Sequence, residues 1–174
     1  MDAYDNVVTK LDVREFASKS VPANVKLKVL EAAQMTGSGM NVQHWKFILV
    51  QDRKNLRKLA EDSTSGKWVE RADFAVIVLT NPKYGFHLID AGRVAQNMQT
   101  VAWNYEVASC VFTGVNREAL QKGFKIPRDL IPSIIVGFGY PSRKLIGRKS
   151  RKPLTELVSL ESYGEPLNPL LAGV

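Results

Sequence analysis

Phe74-Ala75-Val76-Ile77-Val78-Leu79 is an unbroken apolar run of strand length, and the segment from Leu88 to Glu106 follows it closely. Six apolar residues without alternation predict a strand covered on both faces. In the segment that follows, Ala91, Ala95, Met98, Ala102 and Tyr105 fall three or four positions apart, the stripe of a long core helix. A buried strand next to a core helix is the frame into which the rest of the chain must fit.

Outward from this centre, Lys46 to Val50, Ser109 to Phe112 and Ser133 to Gly137 read as further strands. Asp2 to Thr9 reads as a short helix with acidic residues near its positive end. After Pro22, Ala23 to Gln34 reads as a helix with apolar Leu27, Leu30 and Ala33, stopped by Thr36-Gly37-Ser38-Gly39. Asn55 to Glu61 and Arg117 to Lys122 complete the helices. Strands mixed with helices, one strand pair lying too close for a crossover helix, predict an α+β fold. No linker or repeat divides the chain, so residues 1–174 read as one domain, with a C-terminal tail from about 162. Leu154, Leu157, Val158, Leu160, Leu167, Leu170 and Leu171 make the end of the chain apolar, and a partner subunit is the natural cover.

The 174 residues are 45% hydrophobic and 24% charged, which excludes a disordered chain. A single cysteine, Cys110, excludes an intrachain disulfide framework; with no secretory leader in view, the expected location is the cytoplasm. The apolar runs are too short to span a membrane. His44, His87 and Cys110 are too widely spaced to predict a metal site. A net charge of +7 calls for an anionic partner or a solvated basic surface. Six of the ten residues from Arg143 to Lys152 are basic, yet no helix-turn-helix, zinc finger or ribonucleoprotein motif accompanies them. Nucleic acid is thus the less expected partner, although a cluster so local suits a single phosphate group as well as a polynucleotide.

Three segments carry chemistry. In Lys10-Leu11-Asp12-Val13-Arg14-Glu15-Phe16, extended backbone points Lys10 and Arg14 the same way, toward one anion or toward solvent. Ser38-Gly39-Met40-Asn41-Val42-Gln43-His44-Trp45 joins glycine, which admits close approach, to donors and acceptors suited to a polar heterocycle; a turn needing Gly and Asn would look the same. In Gly147 to Leu154, Lys149 and Arg151 flank Ser150, a pairing suited to phosphate or to a solvated face.

Together these segments resemble the nitroreductase family. Lys10 to Phe16 is similar to its basic N-terminal heptad, and Thr36-Gly37-Ser38 through Asn41, Gln43, Trp45 and Phe47 to its Ser-x-x-Asn-x-Gln-Pro-Trp-x-Phe segment. Asp90-Ala91-Gly92-Arg93-Val94-Ala95-Gln96-Asn97 resembles its central Asp-x-Gly-x-Ala-x-Gln-Asn helix. Val107 to Gly114, Ile134 to Pro141 and Lys149-Ser150-Arg151 match three further motifs in order. The chain departs from the pattern at Leu11, Asp12, Gly37 and His44, where the family has a basic residue, a serine and two prolines.

The resemblance implies a nitroreductase-like α+β fold, a central, mostly antiparallel sheet flanked by helices, with the tail packed on the partner of a homodimer. It implies FMN as cofactor, NADH or NADPH as electron donor, and a small-molecule electron acceptor such as a nitroaromatic or quinone. Lys10, Leu11, Asp12 and Arg14 fall where the family holds the FMN phosphate, and Lys149 and Arg151 where it closes that site. Ser38, Asn41 and Gln43 fall on the segment that meets the ribityl chain and ring, and Thr113 and Gly114 where a backbone N–H approaches the flavin. The flavin performs the chemistry, so no catalytic side chain is expected. Asp12 is expected to turn from the phosphate and bond backbone N–H groups or pair with Arg14. The competing reading is a flavin-binding or basic nucleic-acid-binding protein without redox turnover.

Overall fold

The computed structural model describes residues 2–145 and 149–167. The apolar run becomes β2 (Phe74–Thr80), buried along its whole length. It pairs antiparallel with β1 (Lys46–Val50), Lys46 opposite Leu79 and Val50 opposite Ala75. On its other side lies β4 (Ile131–Gly139), Phe74 opposite Phe138, with a register shift between Val78 and Leu79. Beyond β4, β3 (Ala108–Phe112) closes the sheet, giving the order β1-β2-β4-β3, antiparallel throughout. The expected α+β architecture is present.

Both faces of β2 are covered, which is why its sequence does not alternate in polarity. Ala75, Ile77 and Leu79 join a core with Leu56, Leu59, Val69, Leu120 and Ile135. Phe74, Val76 and Val78 join a second core with Val29, Val94, Ala95, Met98 and Phe138. Each large side chain fully buried here contributes about 1.5–3 kcal/mol.

The first core is roofed by α3 (Arg53–Glu61) and α5 (Arg117–Gly123). Asp52 caps α3 by accepting from the Lys54 and Asn55 amides, and Asn116 caps α5 through Ala119. Such caps are worth about 1 kcal/mol each. The second core lies under α2 (Ala23–Gln34) and α4 (His87–Asn104). On α4 the stripe Ala91, Ala95, Met98 and Ala102 is buried as expected, while Tyr105 lies past the helix end and is exposed. On α2 the buried stripe is Val25, Val29 and Ala33. Leu27, expected inside, is exposed, because docking on α4 uses the valine face.

The N-terminal α1 (Ala3–Thr9), capped by Asp2, crosses the C-terminal end of α4. Among the described residues after 149 there is one short helix, α6 (Leu154–Leu157), which the sequence did not signal. Leu154, Leu157 and Val158 are exposed in the single chain, and Leu167 is buried. Leu170 and Leu171 of the apolar tail lie outside the described residues, as do Gly147 and Arg148 of the basic segment.

Candidate functional site

The first group of polar side chains gathers at the C-terminal end of α4. The Asn6 amide donates to the Thr100 carbonyl at 2.9 Å, and the Trp103 indole N–H to the Thr9 hydroxyl at 3.0 Å. These bonds deliver the chain to the open edge of β3, where Asp12 bridges Ser109 in parallel and the Val13 N–H donates to the Ser109 carbonyl at 3.0 Å. The Lys10 amine lies 2.5 Å from Asp12 Oδ1. Gln99 donates to the same oxygen at 3.3 Å and to the Ser109 hydroxyl at 3.0 Å. From the far end of the chain, the Lys149 amine donates to the Val7 carbonyl. Lys149 and Arg151 line a cleft of about 730 Å³ together with Leu11, Val7, Val8 and Trp103.

Among the described residues, this end of the molecule gathers Lys10, Lys149 and Arg151 around the single carboxylate of Asp12. Burial, and then the charges of Arg151 and Lys10, hold the Lys149 amine below its ordinary pKa, with only Asp12 acting the other way. Lys10, Leu11, Asp12, Lys149 and Arg151 are thus brought together, as the sequence suggested. Arg14 is not in the same cleft. It lines a neighbouring cleft of about 310 Å³ with Glu15, Ser142 and Arg143, bordered by Asp12. Its guanidinium lies near Cys110, whose thiol is pushed up chiefly by burial. The expected pairing of Asp12 with Arg14 is replaced by a pairing with Lys10. Both are two residues from Asp12 in extended chain; packing against Gln99 and β3 selects Lys10.

The second group sits at the opposite end of α4. Gly39–Asn41 forms a short 3-10 turn, and Met40, Asn41 and, two residues on, Gln43 have positive φ, at 49°, 54° and 47°. Left-handed conformations in non-glycine residues cost about 1–3 kcal/mol each and persist only where surroundings impose them. The Ser38 hydroxyl accepts from the Gln43 N–H at 2.9 Å, and the Gln43 side chain donates to the Asn41 carbonyl at 3.3 Å. The Gly39 N–H donates to Asp90 Oδ2 at 3.1 Å. The Phe86 ring lies so close that a Cβ on Gly39 would sit 2.6 Å from it, which requires glycine there. Asp90 and Gln99 are nine residues apart on one helix, so the two groups are separated by about 13 Å along its axis.

Thr113 and Gly114 form a third group beyond the end of β3. The Gly114 N–H donates to the Ser65 hydroxyl at 3.2 Å, and its carbonyl accepts from the Thr64 N–H at 2.8 Å. Five residues of extended chain place Gly114 about 16 Å from Ser109. Within one chain, therefore, the candidate residues occupy three places.

Sequence reasoning missed Asp90, Gln99 and Trp103 as members of these groups. The signal for the first two was present: both are buried polar residues on the otherwise apolar inner face of α4.

The nitroreductase family model matches residues 9–83 and 65–140. A protein of Methanothermobacter thermautotrophicus, provisionally named an NADH dehydrogenase/NAD(P)H nitroreductase, is 29% identical over 151 residues, spanning 82% of this chain and 78% of that one. An FMN-dependent nitroreductase of Clostridium difficile R20291 has a TM-score of 0.85 at 19% identity, covering 92% of this chain and 99% of its own. A protein of Bacteroides thetaiotaomicron, provisionally named like the first, has a TM-score of 0.85 at 24% identity, covering 92% and 98%. At these identities the two structures show a shared fold.

Proposed function

The chain belongs to the nitroreductase family, and from that premise we propose that it is an FMN-dependent oxidoreductase. It passes two electrons from NADH or NADPH to a nitroaromatic, quinone or similar acceptor by a ping-pong mechanism, and it works as a homodimer. The observation that carries this reading is the pair Lys149 and Arg151 in one cleft, with Lys10 and its partner Asp12 close enough to act on the Lys149 amine, so that one carboxylate stands among three cations. A phosphate dianion would neutralise that excess, so the donor set fits the phosphate of FMN.

Lys149 and Arg151 would hold the phosphate, the arginine through its planar fork. Asp12, itself held by Gln99, fixes Lys10 beside them, and Arg14 adds charge from the adjoining cleft. Ser38, Asn41 and Gln43 would offer hydrogen-bonding groups to the ring and ribityl chain, and the backbone at Thr113 and Gly114 would offer an N–H to the flavin. When bound, FMN supplies the two-electron redox chemistry; the chain binds, orients and shields it. The separation of the loop from the cation cluster supports a site completed by the partner's copy of the loop. Exposed Tyr4, Val7, Leu154 and Leu157 are apolar surface for such an interface.

The purified protein should be yellow and release FMN on denaturation. It should oxidise NADH or NADPH rapidly only when a quinone or nitroaromatic is added. A chain that takes up no FMN on reconstitution overturns the reading; bound FMN without turnover leaves a flavin-binding protein instead.

Sedimentation at micromolar protein should show a dimer, since obligate interfaces bury upwards of about 2,000 Å². Deleting the chain from Ser162 onward should weaken both dimer and FMN retention. A flavin-loaded monomer, or a truncated chain that behaves like the parent, contradicts the two-subunit site.

A further inference from the structure

His44 and Asp90 form a buried pair outside the cation cluster. Their side chains are 3% and 2% exposed, and His44 Nε2 lies 3.1 Å from Asp90 Oδ2. The other ring nitrogen, Nδ1, accepts from the Asn81 N–H at 3.4 Å, so the proton of a neutral ring belongs on Nε2, donated to Asp90. The same Asp90 oxygen accepts the Gly39 N–H at 3.1 Å. Arg93 approaches the second oxygen at 3.7 Å, and the carboxylate lies in the first turn of α4, where the helix dipole favours negative charge.

The carboxylate and the imidazole it holds therefore tie three segments together: Asp90 joins the loop after α2 to the start of α4, and His44 joins that loop to Asn81 at the end of β2. The loop it holds is the one with three left-handed residues that are not glycine. Such a conformation relaxes unless it is held. The Ser38–Gln43 bond holds it from within, and Asp90 anchors it to the helix layer. The His44 ring also fixes the opposite wall, lying 5.0 Å from the Tyr84 ring and 5.9 Å from that of Phe86.

We infer that Asp90 and His44 are a positioning pair: they hold Asn41 and Gln43 in the geometry that the flavin ring meets, without touching the ring themselves. The inference rests on the proposed role of that loop in FMN binding. Asp90→Ala removes both bonds. Asp90→Asn keeps one oxygen able to accept from Gly39 and His44, so it should rescue. His44→Phe keeps the ring stacking but cannot donate to Asp90.

Two measurements separate positioning from mere stability. In the flavin-free protein, the Gly39 amide should exchange with solvent about tenfold faster in Asp90→Ala than in the parent or in Asp90→Asn. In the FMN-loaded dimer, reduction of the bound flavin by NADH or NADPH, whichever the parent uses, should slow about tenfold or more in Asp90→Ala and His44→Phe. FMN affinity should change by no more than about threefold, because the phosphate end is untouched. A shifted visible flavin spectrum should accompany the slower reduction, and Asp90→Asn should restore both.

Unchanged spectrum and reduction rate in Asp90→Ala and His44→Phe, with only melting temperature lowered, would overturn the inference. If Asp90→Ala does not fold, His44→Phe decides by the same criteria. A parent protein that binds no FMN defeats the proposed function itself, and the role toward the ring with it. A parent that binds and turns over, with indifferent variants, defeats the positioning pair alone.

Discussion

Lys149→Ala and Arg151→Ala should each weaken FMN binding about ten- to a hundredfold, the loss of one charge-assisted hydrogen bond worth about 1.5–3 kcal/mol. The two residues share one cleft, so the double variant should depart from additivity. Arg14→Ala should cost less, because its guanidinium lines the neighbouring cleft. Riboflavin, which has no phosphate, should bind parent and variants equally weakly. Fluorescence titration of the flavin-free protein measures all of these, and full FMN affinity in both single variants would remove the phosphate from this end of α4.

The same cluster sets a pH dependence with a defined sign. Burial and the neighbouring cations lower the Lys149 pKa in the free protein, so the folded state holds that proton less tightly than the unfolded chain does. The free protein gains stability from this group as pH rises from below the depressed value toward the ordinary 10.5. A phosphate dianion beside the amine acts in the opposite direction and raises its pKa. FMN binding should therefore take up a proton at alkaline pH, and affinity should fall as pH rises through that window. Calorimetry in buffers of different ionisation enthalpy reports the uptake, and Lys149→Ala should abolish it.

Phe138→Ala should destabilise the fold by about 3–5 kcal/mol, the cost of removing a buried aromatic ring and leaving a cavity. Phe138 and Phe74 face each other across β4 and β2, fully buried, with ring centroids 4.7 Å apart and planes 9° from parallel. They fill the middle of the core between the sheet and the α2–α4 layer. For a chain of this size, each kcal/mol lowers the melting temperature by about 2–4 °C. Phe138→Leu should cost distinctly less, because most of the volume remains. Chemical denaturation resolves the difference, and a loss below about 1 kcal/mol would mean that the core collapses around the missing ring.

Local physics settles much of this protein before any packing is known. The strand Lys46–Val50 and the helix Ala23–Gln34 take the bounds their sequences predict, and the apolar run at Phe74 extends one residue further to Thr80, because composition, periodicity and stop signals act over a few residues. The basic residues at both ends of the chain and the polar loop after α2 were likewise legible as residue types in a spaced order. Other features were decided only by contacts between distant segments. β4 enters the sheet between β2 and β3, out of chain order, because strand partners are chosen by which faces can be buried together. The inward face of α2 is Val25, Val29 and Ala33, since a helix with apolar residues on several sides has no unique stripe until α4 packs on it. Asp12 stood equally far from Lys10 and Arg14 along the chain, and docking on β3 and Gln99 gave it to Lys10. The separation of the candidate site into a cation cluster and a strained loop at opposite ends of α4 is a distance in space, which residue spacing along a folded chain does not encode.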